Sequence, residues 1–454
     1  MTAVRRAVAE SVGGLPAAFW WLWLGTLVNR AGGFVLIFLA FYLTSELGYS
    51  AAFAGLVLGL FGLGSALAAV VGGVLADRIG RRPTILGAHL ATSAVMASLA
   101  LAQSKPVIAV GAFLLGLASN AVRPASSAMM ADIVAPEDRS RAFALQYWAI
   151  NLGFAVAPVL GGLLAGLGYE TLFLVDAATT LVTALLVWAK VPESHPDGVV
   201  GLRRGAGEPA TSGSLADVVR DRVFMSFLLL NFFVAFVFMQ HVVTLPLAME
   251  RDGLSPTAYG AVMSVNGILI VLVTVPVSRW LQRFAPARVL ALAAVLMGAG
   301  FASTALADTA AVYAMTVAVW TISEILGAPV STTVVAELSP AALRGRYQGM
   351  FTLSWSAASA AAPVAGGWVF DRYGETALWS ICGVVGLLCA LGNLTLAGAR
   401  EARLAELAAA DHDAVTGVKA PPPREPEDAA VEQLAEGEPT TAPPPDRVAS
   451  GATD

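Results

Sequence analysis

Four ionisable side chains stand inside long apolar stretches of the chain: Arg30, Arg123, His241 and Glu324. Near the middle of a membrane-spanning helix each charge costs at least ~2.5–3.5 kcal/mol unless it is paired or hydrated, so such residues mark ion or substrate paths. Glu324 is the candidate proton carrier. A carboxyl group changes protonation when a conformational change moves it between apolar, hydrated and cation-lined surroundings. Arg30 and Arg123 bias the same region positive, which suits an anionic or zwitterionic ligand or simply neutralises Glu324. His241 is either a titrating group or a packed one. Asn120 adds a neutral polar group, and Asp132 a second acid close to Arg139. Asp176 and His89 read as structural. This set binds protons and small molecules. It does not make or break bonds: there is no nucleophile–base pair, no metal-ligand cluster and no phosphate-cradling loop with lysine. No enzyme activity, metal or cofactor is expected. A motor driven by ATP is disfavoured for want of the phosphate-binding loop.

These residues need a membrane to hold them. Hydrophobic residues make up 57% of the 454 and charged residues 13%, about half the charged share of a soluble domain, roughly 25%. Stretches long enough to cross a bilayer fall at 18–43, 51–76, 83–103, 106–131, 142–166, 169–190, 223–246, 256–279, 287–307, 309–335, 346–369 and 375–399, here spans 1 to 12. Basic residues orient them. With the N-terminus inside, 19 fall in inside segments and Lys105, Arg251 and Arg372 outside, which predicts cytoplasmic termini in the cell membrane. A polar segment, 191–222, separates a six-span half (18–190) from a second (223–399), with a short cytoplasmic segment at 1–17. Residues 401–454 carry net charge −8 against −5 for the whole chain. That acidic, Pro-rich tail, from 400 on, cannot bury a core and is expected to be disordered. Cys382 and Cys389 lie two turns apart on one span, too far to bond.

A shift of 205 residues lays 124–162 over 329–367 without a gap, with 11 identities in 39 positions. Pro124, Ser126, Arg139, Arg141, Pro158, Gly161 and Gly162 recur, so the halves read as duplicates. Parallel six-span repeats describe a secondary transporter. Between spans 2 and 3 stands GGVLADRIGRR, with Gly73, Asp77, Arg78, Gly80, Arg81 and Arg82. Gly73 allows close helix approach and Gly80 a tight turn.

On this loop and the duplicated halves the chain resembles the major facilitator superfamily over about residues 18–399. The resemblance implies an all-α, twelve-helix fold in two pseudo-symmetric halves that rock about a central site. It implies that spans 1, 4, 7 and 10, which carry Arg30, Arg123, His241 and Glu324, line the cavity. It also implies that the loop is a conformational latch, with Asp77 meeting helix 11 near Arg344 and Arg346 when the cytoplasmic side closes. In span 5, Gly153, Pro158, Gly161 and Gly162 match the packing motif of drug/proton antiporters, with Ala157 replacing a glycine. Residues 320–338 resemble span 10 of LmrP-like multidrug efflux proteins. Their span-10 glutamate falls at Glu324 and their span-4 acid at Asp132, and Asn120 fits too, whereas two further acids fall at Gln146 and Val242.

The expected function is proton-coupled export of small amphipathic molecules, multidrug or metabolite, with Glu324 and Asp132 as proton-coupling residues. Import of an anionic or zwitterionic nutrient is the alternative, and a non-transporting receptor or scaffold is an alternative of another class. The expected partners are a small-molecule substrate, protons and the lipid bilayer, with no nucleic acid, and the expected state is a monomer.

Overall fold

A computed structural model describes residues 13–194, 215–281, 283–340 and 343–416. Among them every regular element is helical. Ten of the twelve expected spans are single helices: Ala51–Ile79, Arg81–Ala100, Lys105–Ile133, Arg139–Ala165, Tyr169–Lys190, Pro256–Leu281, Pro286–Ser303, Ala310–Leu338, Arg344–Tyr373 and Glu375–Thr395. Eleven helices among the described residues are long and apolar enough to cross a bilayer. Arg344–Tyr373 is 30 residues long but is not one of the eleven. Its middle is Ser, Ala and Gly, which suits contact with other helices better than contact with lipid.

Spans 1 and 7 are broken. Span 1 runs as Ala17–Ala31, then Val35–Phe41, then a π-turn at Tyr42–Glu46; span 7 runs as Arg222–Phe238 and Gln240–Arg251. The second pieces begin at Val35 and Gln240, 205 residues apart, so the two breaks stand at corresponding positions of the repeat. Gly32 and Gly33 weaken the helix in span 1. The freed Val35 N–H donates to the Asp176 carboxylate at 3.2 Å, which explains why a carboxylate only 2% exposed is kept there. In span 7 the Phe238 carbonyl loses its helical partner and lies 2.6 Å from His241 Nδ1, so that nitrogen carries the proton.

The two halves meet along two crossings made of small residues. A Cβ at Gly55 of span 2 would lie 2.2 Å from the Pro363 carbonyl oxygen of span 11, and one at Gly260 of span 8 would lie 2.1 Å from that of Pro158 in span 5. The shift of 205 interchanges these two contacts. Both prolines lie inside helices. These contacts lie at the end of the bundle away from the Asp77 loop. Two carboxylates of the second half tie the same end. Glu250 accepts from Thr44 Oγ1 at 2.7 Å and from Ser45, and Asp371 accepts from the Ala52 N–H at 2.7 Å. At the Asp77 end Gly73, Gly345 and Gly349 face open space. Among the described residues, these ties between the halves gather at the end away from the Asp77 loop.

Within the expected linker, residues 191–194 and 215–222 are described, and the latter hold the helix Leu215–Arg220. The helix Ala397–Thr416 covers the start of the expected tail, where Ala, Leu and Glu are good helix formers. Residues from Ala402 on form a separate unit, with an Arg403–Glu406 ion pair at 3.1 Å. The rest of the expected tail, 417–454, lies outside the described residues, as do residues 195–214 of the linker and 1–12 of the N-terminal segment.

Candidate functional site

The four intramembrane residues have different surroundings. Arg30 ends the first piece of span 1, beside the break. A Cβ at Gly153 would lie 2.3 Å from Arg30 Cβ, so Gly153 of span 5 lets the two helices touch there. The guanidinium lies 5.7 Å from the centre of the Phe154 ring, a cation–π distance. Arg123 is exposed on span 4. Around Arg30 the wall is polar: Asn29 donates to Thr180 at 3.0 Å, and Thr183 donates to the Gly25 carbonyl at 3.1 Å.

Glu324 sits in the middle of span 10. Its Oε2 accepts from Asn266 Nδ2 of span 8 at 3.0 Å, and the same amide also reaches Thr321 at 3.1 Å. No arginine pairs with it among the described residues. Glu324 also lines a small cavity of about 60 Å³ between spans 7, 9, 10, 11 and 12. His241 lies outside that pocket, in an aromatic stack. Its ring is 5.7 Å from Trp320 and 4.5 Å from Phe238, and Trp320 in turn stacks on Phe301 at 5.7 Å.

Asp132 and Asn120 do not share a chamber with Glu324. Asp132 accepts from Arg81 Nε at 3.0 Å and from Ser194 Oγ at 3.1 Å at the Asp77 end. Asn120 donates to Ser65 of span 2 at 2.9 Å. In the loop, Gly80 has φ +101°, the left-handed half of the map that glycine tolerates best. Arg81 also donates to the Ala76 carbonyl at 3.2 Å, and Arg82 bonds the Trp188 carbonyl. Asp77, 4.0 Å from Arg81, has a side chain 77% exposed, and Arg78 is exposed. In span 5, Gly161 meets Phe38 and Phe34 of span 1, and Gly162 meets Pro256 and Thr257 of span 8.

Several contributors carry no signal in the sequence. Glu193 accepts from the Arg81 and Arg82 N–H groups, both at 3.1 Å, and so caps the N-terminus of span 3. Asn266 and Asn393 are single amides in apolar runs. Glu250 and Asp371 look like ordinary loop acids. Only a fold brings each to its partner.

The model of the Major Facilitator Superfamily matches residues 22–255 and 241–426. The chain belongs to the Major Facilitator Superfamily. It is therefore a multi-pass membrane transporter, not an enzyme. Among curated relatives it is 27% identical over 389 residues to a "Na(+), Li(+), K(+)/H(+) antiporter" of Planococcus maritimus, covering 78% of this chain and 91% of the relative. It is 26% identical over 363 residues to the multidrug resistance protein MdtH of Cronobacter sakazakii, covering 78% and 88%. A solved peptide transporter, POT with bound sulfate, superposes with a TM-score of 0.71 at 18% identity, covering 87% of this chain and 96% of that one. A bacterial homologue of the lysosomal transporter Spinster, inward-facing and unoccupied, gives 0.65 at 16% identity, covering 87% and 98%.

Proposed function

We propose that the protein is a proton-coupled exporter of small amphipathic molecules in the cell membrane, of the multidrug, LmrP-like type, acting as a monomer by alternating access. The observation that carries this reading is the setting of Glu324: an acid in mid-span, held by one neutral amide and edging a largely apolar pocket. A proton and an amphipathic molecule can compete for such a carboxylate. The basic end is cytoplasmic on the distribution of Arg and Lys, so the described state faces inward. Glu324 takes a proton from outside, releases cargo there, and returns the proton inside; each proton gains about 2.3 kcal/mol per 100 mV. Asp132 then acts at the cytoplasmic mouth, where its bond to Arg81 couples it to the loop. Asp77 reaches helix 11 in the outward-facing state.

The test is proton-driven uptake of a fluorescent amphipathic dye into inverted vesicles. Glu324→Gln should reduce it to background, and unchanged uptake would refute the assignment. The antiporter of Planococcus maritimus supports a second reading, exchange of alkali cations for protons, with Glu324 and Thr321 as oxygen ligands. Sodium-dependent proton release from the same vesicles, lost in Glu324→Gln, would favour it.

A further inference from the structure

Arg30 and Arg123 stand at similar depth in the first half. Span 1 starts at Ala17 and span 4 ends at Ile133. At 1.5 Å per residue both arginines lie roughly 15–20 Å in from the Asp77 end. The two helices are neighbours, since Phe19 and Leu22 of span 1 share an apolar cluster with Ala125 and Met129 of span 4. Arg123 lies close enough to Arg30 to repel it, and Asp176 is the acid that attracts it. Buried His89 is a further neighbour of Arg30. Yet among the described residues neither arginine makes a hydrogen bond or an ion pair. Asp176 holds the Val35 N–H at the break instead, and Glu324 is held by Asn266 in the other half, so Glu324 is not their counter-ion. Unpaired guanidinium groups at membrane depth are costly and mark a site. The fold itself does not ask for them, because the shift of 205 places Ala235 and Ala328 at these positions. Beside the Arg30 guanidinium lies the Phe154 ring. Tyr147, seven residues earlier, shares that face of span 5, and the two rings are 47% and 58% exposed.

We infer that Arg30 and Arg123 form a second ligand site, apart from Glu324, which binds the carboxylate of an aryl amphipath and seats its ring against Phe154 and Tyr147. A guanidinium presents paired N–H donors that match the two oxygens of a carboxylate. Two of them, from two helices, hold such a head between spans 1 and 4. The aromatic face of span 5 gives the body of the ligand an apolar surface. The inference goes beyond the proton-coupled reading: it concerns the other half and requires nothing of Glu324.

The probes are 1-naphthaleneacetate and its neutral isostere 1-naphthaleneacetamide, titrated calorimetrically at pH 7 into the detergent-purified full chain. The carboxylate should bind roughly tenfold tighter or more, the range for a charge-assisted hydrogen bond. Arg123→Gln should bring the two within about threefold by weakening only the carboxylate. An amide that binds as tightly as the carboxylate, no binding of either, or a ratio unmoved by Arg123→Gln overturns the proposal. Arg123 is exposed, so this exchange leaves the packing intact. Arg30→Gln should act alike, and where it does not fold Arg123→Gln carries the test. Inorganic phosphate at equal concentration should not displace the carboxylate. Displacement would make this a site for small inorganic anions and overturn the aryl cargo. The two readings fail separately. A binding ratio absent from the unaltered chain removes this site, whereas dye uptake unchanged in Glu324→Gln removes the transport assignment.

Discussion

The two halves share a skeleton and differ in chemistry. Glu324 corresponds to Ser119, Ala328 to Arg123 and Ala235 to Arg30 across the shift of 205. The broken helices, the in-helix prolines and the glycine crossings are common to both. The first half keeps Arg30, Arg123 and a threonine-rich wall; the second keeps the mid-span Glu324, an aromatic stack and a pocket. Contacts between backbones constrain both copies equally, because a Cβ against a carbonyl is forbidden wherever it occurs. Side chains facing a cavity carry no such constraint, and there the copies have diverged. The lesson is that symmetry marks what moves, and asymmetry marks what is bound.

The comparison can be broken at its strongest point. Gly55→Val and Gly260→Val should act alike, since both place a Cβ about 2 Å from a carbonyl oxygen. Overpacking of this kind typically costs about 1–3 kcal/mol, enough to shift the conformational equilibrium by roughly 5–150-fold. Labelling by an impermeant maleimide at a cysteine replacing buried Phe41 should rise sharply in both variants. A response from one alone would end the claim that the crossings are equivalent. Next in size is the carboxylate. Moving it across, as Ser119→Glu with Glu324→Gln, should restore less than about a tenth of proton-driven uptake. The reason is that Asn266 has no polar counterpart in the first half, where the shift of 205 places Phe61.

Smaller effects fall on the ties between the halves. Glu250→Gln and Asp371→Asn each remove a charged acceptor, worth about 1–3 kcal/mol, and should raise Phe41-site labelling moderately and additively. Full closure in the double variant would mean that the glycine crossings alone hold that end. Asp77→Asn should be the mildest in the described state, within about 0.5 kcal/mol in thermal unfolding, since the side chain is 77% exposed. A large loss of stability would show that the loop acid holds the inward-facing state.

Much of the fold is legible in the residues. Apolar length gives twelve spans, and the loop and duplicated motifs give the family. Glycine spacing hints at the crossings but cannot say which helix fills each groove. The candidate site is legible in part. Glu324, Arg30 and Arg123 stand out because charge is expensive in lipid. Asn266, Asn393 and Glu193 do not stand out, because a single amide or a loop acid has no pattern of its own. The breaks in spans 1 and 7 are also hidden. The first has a glycine pair, but the second follows Phe238 with Met and Gln, and only the Phe238–His241 contact accounts for the lost bond.

Glu193 gives the chain a natural place to be divided. It stands just past span 6, yet its carboxylate completes the start of span 3. Two polypeptides meeting in one membrane would need the upstream piece to end after Ser194, so that both the cap and the Ser194 bond to Asp132 stay with the first half. A cut at Lys190 would remove both and leave two N–H groups without their acceptor. The six-helix half, as a part that can be made separately, is therefore four residues longer than its last helix.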